Sequence, residues 1–178
     1  MEETPISIIG IIVASILMFI VPLVVIADRN DDIAQLTAQT ATAEFVDNII
    51  KLGKITMEDY QNYILSLETS GNTYEIDIEL KILDDNPSRK TTNATGGVGK
   101  NLYYSIYTSQ IEEKLQANKN NGIGQILLKE GDEISVTAKN SSKTLSQTLK
   151  SIYYTIKGDD LHIIVATSSG TIAINGAT

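Results

Sequence analysis

Cysteine and tryptophan are absent from this chain of 178 residues, and histidine occurs once. Without cysteine there is no thiol nucleophile, no thiolate zinc or iron–sulfur site and no disulfide framework. A histidine-based acid–base system would have to use His162, and no second His or Cys stands ready to join it. Basic residues are also short: 14 Lys and Arg face 22 Asp and Glu, a formal net charge of −8. An acidic surface repels phosphate backbones, so nucleic acid is not an expected partner. The length suits one domain with little room for a second, and no internal repeat is visible.

What is present is concentrated at one end. Of all residues, 42% are hydrophobic, but Ile6 to Ala27 form an unbroken run without charge. At about 1.5 Å per residue this run reaches roughly 33 Å as a helix, enough to cross a bilayer core. A soluble core helix would keep a polar face, and this run has none. Ile6, Gly10, Phe19, Pro22 and Ile26 mark it out as a membrane anchor, with Gly10 and Pro22 tolerable in lipid. The preceding tail, Met1 to Pro5, carries no Lys or Arg, unlike the basic start of a secretory signal. A retained anchor is therefore expected, with a removed signal as the alternative, since Val25-Ile26-Ala27 resembles a cleavage site. Arg29 among Asp28, Asp31 and Asp32 gives the positive-inside rule almost nothing to count. The short tail is easily left in the cytoplasm, so the expected topology has a cytoplasmic N-terminus and an extracytoplasmic C-terminal head.

Beyond the run, Asp28 to Leu52 contain neither Gly nor Pro. Ala34, Ala38, Ala41, Phe45, Ile49 and Leu52 recur at helical spacing on one face. Lys51 and Gly53 supply a stop. The spacing predicts one long helix from about Ile6 to Leu52, bent near Pro22. Thr56 with Asp59 imitates a capping box and opens a short helix whose buried face is Tyr60, Ile64 and Leu67. Tyr74, Ile76, Ile78, Leu80 and Ile82 alternate with charged residues, the pattern of a half-buried antiparallel strand. Residues 84–101 read as a long polar loop. A short strand over Leu102 to Tyr107 precedes a helix carrying Ile111 and Leu115. Gln125 to Leu128 and Glu133 to Lys139, flanking Lys129-Glu130-Gly131-Asp132, read as a hairpin. Lys143 to Ile152 read as a helix, with Leu145, Leu149 and Ile152 on one side. Three strands are expected last: Tyr153 to Ile156, Leu161 to Thr167 and Thr171 to Ile174. The sum is an α+β chain: tail 1–5, transmembrane helix 6–27, helical stalk 28–53, and an α+β head 54–178 of antiparallel sheet and short helices.

This layout resembles pilins and pseudopilins of type IV filaments. It is more closely similar to TadE-like proteins of tight-adherence (Tad/Flp-type) pilus systems in Gram-positive bacteria. The suggestive pieces are Ala41-Thr-Ala-Glu-Phe45, Gly53-Lys-Ile-Thr56 with Tyr60, Gly71-Asn-Thr-Tyr74 leading into the strand, Tyr107-Thr-Ser-Gln-Ile111, and Gly131-Asp132. The resemblance implies a pilin-like fold and a structural, single-pass subunit of a Tad-type pilus or a related secretion or conjugation apparatus. It implies as partners membrane lipid, other pilin-like subunits and platform proteins, with adhesion as the setting and a surface filament as the destination. Typical type IV prepilins place a Gly before the apolar segment and a Glu five residues into the mature chain. Here Gly10 is the only Gly of the run and Ser15 lies five residues on, a departure that favours a minor or accessory subunit. The rival from another class is a membrane-tethered binding module whose head recognises a cell-envelope or surface partner.

No catalytic residue, cofactor site or metal site is expected, and no small-molecule substrate. Gly96-Gly97-Val98-Gly99-Lys100 breaks the phosphate-loop motif at both ends, with Ala94 and Asn101 where Gly and Ser/Thr belong. Asp28, Asn30 and Asp32 have the spacing of a calcium loop but lack its Gly and its final Glu. Asp84, Asp85 and Asn86 are a second oxygen-rich candidate. Asn93-Ala94-Thr95 and Asn140-Ser141-Ser142 match the glycosylation sequon. The stripe Ala34, Ala38, Ala41 and Phe45 is the foremost functional candidate: small residues let helices approach closely. It either packs stalk against stalk in an assembly or lies against the chain's own head.

Overall fold

The computed structural model describes residues 3–84, 102–120, 124–157 and 163–177. Helix α1 spans Glu3–Leu52 and continues through Pro22. It ends where expected: Gly53 takes a positive φ of 63°, and its N–H donates to the Ile49 carbonyl at 2.8 Å, the αL cap that glycine makes easy. Strand β1, Lys54–Thr56, leads into α2, Met57–Glu68, whose Asp59 N–H is accepted by the Thr56 hydroxyl. Tyr60, Tyr63 and Leu67 form its buried face; Ile64 is only partly buried, and Tyr63 does the work expected of it.

The main sheet has four antiparallel strands, in order β3-β2-β5-β6. They are β2, Tyr74–Leu83; β3, Tyr103–Tyr107; β5, Glu133–Asn140; and β6, Val165–Thr171. A second, two-stranded sheet pairs β1 with β4, Gln125–Leu127. Helix α3, Thr108–Asn120, follows β3, and α4, Leu145–Lys157, follows β5.

Three expectations need correction. The segments flanking Lys129–Asp132 are strands, but they do not pair: β4 joins β1, and β5 joins β2 and β6. The turn passes the chain from one sheet to the other, with the buried Asp132 carboxylate accepting from the N–H groups of Lys129 and Leu83. Tyr153 to Ile156 are helical, because α4 runs on to Lys157 without a breaker. Lastly, Ser168-Ser169-Gly170, the gap between the strands expected over Leu161 to Thr167 and Thr171 to Ile174, is not a turn but lies inside β6, which ends at Thr171.

That last correction explains the packing. Cross-strand partners share a face. Ala166, Ser168 and Gly170 pair with Ala138, Val136 and Ile134, which are buried. The core-facing side of β6 is thus made of small residues, and α1 lies along it. At the far end a Cβ on Gly170 would run into the Ile50 side chain. Small residues on both elements let helix and sheet meet closely, and α1 brings bulk at Phe45, Val46, Ile49 and Ile50. The opposite side of the sheet is polar and solvated, with Lys81 facing Glu133 at 3.8 Å.

Candidate functional site

The candidate site is α1 itself, which has three kinds of surface. Its first stretch is long and apolar enough to span a bilayer, and none of its most apolar window is buried in the molecule. Phe19 is 76% exposed, and Ile6 and Ile26 are exposed too. A Cβ on Gly10 would meet nothing. Helix interiors buried in a soluble core do not look like this. The one polar side chain near its middle is internally satisfied: the Ser15 hydroxyl donates to the Ile11 carbonyl at 2.8 Å.

The second surface is the stripe Ala34, Ala38, Ala41 and Phe45. The structure places all four in the chain's own core. Packing these residues against another stalk is therefore the role they do not have in this arrangement; the alternative, packing against the head, is where they are found. Ala38 is 1% exposed. Phe45 stacks on Tyr63 at 4.5 Å between ring centres, and the Tyr63 hydroxyl shares a 2.9 Å hydrogen bond with Thr42. Burial raises the Tyr63 pKa above its ordinary value, and burial with a hydrogen bond to Glu112 does the same for Tyr60. Gln35 adds a lock that no spacing announced. Its amide donates to the Val165 carbonyl at 2.7 Å and accepts from the Val165 N–H at 3.1 Å. It thereby satisfies the backbone at the start of edge strand β6 as a neighbouring strand would.

The third surface faces away from the head. Ile33 and Leu36 are exposed, Leu36 by 63%. They lie on the same helix as the uncovered apolar stretch, and the more regular alanine stripe masks them in the sequence.

Just past the apolar run, α1 meets α4. Lys150 Nζ lies 2.6 Å from Asp28 Oδ1, the Ser146 hydroxyl donates to the same oxygen, and the Thr144 hydroxyl donates to Asp31 at 2.8 Å. The Lys150 and Ser146 contacts hold the Asp28 carboxyl below the usual carboxylate range. Asp28, Asn30 and Asp32 sit in continuous helix, where residues two apart point about 200° apart, so they do not converge as calcium ligands. Among the described residues no group of three or more His, Cys, Asp or Glu is placed to hold a metal ion. Asn140 is buried and its side-chain oxygen accepts from Ser142, a poor acceptor site for a glycan. His162, Gly96–Lys100, Asn93, Asp85 and Asn86 lie outside the described residues.

Compared with known proteins, the chain matches no family model, and no curated protein or solved structure is significantly similar to it. Its chemistry must be argued from its own geometry. That geometry offers apolar helix surface and a polar sheet face.

Proposed function

We propose that the chain is a membrane-anchored, pilin-like structural subunit of a Tad-type pilus or a related secretion or conjugation apparatus. One observation carries this reading: a single helix of 50 residues is bare at one end and serves as core of the head at the other. A helix that only tethered a head would need no continuity with the head's core. Here the small inner face of β6 and the Ala34–Ala38–Ala41 stripe fix the head rigidly on the helix. Any partner that holds the helix then holds the head in a defined pose. The N-terminus lies in the cytoplasm, residues 6–27 cross the membrane, and the head is extracytoplasmic. Subunits meet through α1, using the uncovered apolar stretch and its continuation at Ile33 and Leu36.

Membranes from the producing cell, treated with an amine-reactive cross-linker, are expected to yield a ladder of oligomers of the chain. Protease added to intact protoplasts is expected to remove the head. A monomer under all cross-linking conditions would overturn the assembly reading, and a head protected in intact protoplasts would overturn the topology.

A further inference from the structure

Helix α4 is amphipathic in an unusual sense: it turns its polar side toward the protein. Ser146 and Gln147 are buried, Thr144 just before the helix is buried, and Lys150 is ion-paired to α1. Leu145, on a different side, is 52% exposed, and Leu149 is only half-buried. A helix at the surface of a soluble head is expected to do the reverse.

The position of α4 supplies the reason. Three polar ties, from Ser146, Lys150 and the preceding Thr144, go to Asp28 and Asp31, one and four residues past the last residue of the apolar run, Ala27. At about 1.5 Å of rise per residue, these anchor points lie within about one helical turn of the end of the run. The exposed apolar side of α4 therefore lies level with the place where α1 leaves the bilayer. We propose that α4 is an interfacial helix that lays Leu145 and Leu149 into the headgroup–acyl boundary of the same leaflet, while Ser146 and Lys150 clamp it to α1. This rests on the reading of residues 6–27 as a membrane span. The occupant is lipid and not a second copy, because the Asp28 contacts hold the face at the level where α1 leaves the bilayer. Apolar side chains with basic residues on the polar side are the composition of helices that lie in the interface. Two contacts with the membrane, span and interfacial helix, fix the tilt and depth of the head against the bilayer, which a lone span leaves free.

The chain has no tryptophan, so single-tryptophan variants report cleanly. Full-length Phe19→Trp, Leu145→Trp and Leu65→Trp proteins are reconstituted into phosphatidylcholine–phosphatidylglycerol vesicles with and without brominated acyl chains. Phe19 and Leu65 are exposed, Leu65 lying on α2 away from α4. Expected are bromine quenching and blue-shifted emission for Phe19→Trp and Leu145→Trp, and neither for Leu65→Trp. Quenching is stronger at Leu145→Trp with bromines near the headgroup and stronger at Phe19→Trp with bromines deep in the chain. Quenching of Phe19→Trp with none at Leu145→Trp overturns the interfacial helix and leaves the anchor standing. A blue shift at Leu145→Trp without quenching assigns the face to another protein surface and also overturns it. No quenching at Phe19→Trp refutes the anchor and the inference together.

Discussion

Gly53→Ala is expected to destabilise the head far more than Gly71→Ala, although both glycines have positive φ, 63° and 76°. The left-handed backbone alone costs alanine about 1–2 kcal/mol at either site, part of it offset by a less flexible unfolded chain. At Gly71 a Cβ meets nothing within 4 Å, so the backbone term is the whole effect. At Gly53 a Cβ would lie 2.5 Å from the Ile174 carbonyl oxygen and 2.6 Å from the Gly176 nitrogen. Both are backbone atoms, so no rotamer change relieves the clash and the C-terminal segment must move. It is stitched in place there: Gly176 N–H donates to the Leu128 carbonyl at 2.9 Å, and Glu130 N–H donates to the Asn175 side-chain oxygen at 2.9 Å. Losing these two bonds costs about 1 kcal/mol each. The total for Gly53→Ala is about 3–4 kcal/mol, roughly 2 kcal/mol beyond Gly71→Ala. Urea unfolding of the full chain in mild detergent, followed by tyrosine fluorescence, measures both. The expected result is a much lower midpoint for Gly53→Ala at unchanged slope. Equal midpoints would refute the close approach of the C-terminal segment to the end of α1.

Asp132→Ala removes a carboxylate that bonds the Leu83 and Lys129 N–H groups at 2.9 and 2.8 Å; a loss of about 2–3 kcal/mol is expected in the same assay. Ala38→Leu forces bulk into the head's own core and is expected to cost about 1–3 kcal/mol of head stability, measurable before any assembly is assayed. The raised pKa of Tyr63 means the folded head keeps its proton where the unfolded chain, near the ordinary value of 10.0, loses it. Its contribution is therefore fully present below about pH 10 and lost as pH rises beyond, and Tyr63→Phe is expected to flatten that alkaline decline in pH-dependent unfolding curves.

The two strongest periodicities in the chain were legible because each answers to one environment. The alternation from Tyr74 to Ile82 became β2, and the helical stripe from Ala34 to Ile49 became the core face of α1. What the stripe packs against was not legible, since small residues suit a neighbouring subunit and a small-faced strand equally well. The partner strand was hidden by its own composition. Ser168 and Gly170 look like turn residues, yet they, like Ala166, are small because α1 lies on them. The Lys129–Asp132 turn was read correctly as a turn, but whether its flanks pair depends on strands far away in sequence, Lys54–Thr56 and Val165–Thr171. Gln35 and Thr42 are polar residues inside a helical pattern and carry no spacing signal; only their partners, Val165 and Tyr63, give them meaning.

The central claim is that the head occupies one face of α1 and leaves the Ile33–Leu36 face for other subunits. Because the chain has no cysteine, Leu36→Cys and Ala38→Cys can each be expressed and mildly oxidised in native membranes, then separated without reductant. Disulfide-linked dimers are expected for Leu36→Cys and monomer for Ala38→Cys; dimers through Ala38→Cys, with none through Leu36→Cys, would overturn this arrangement of head and subunits.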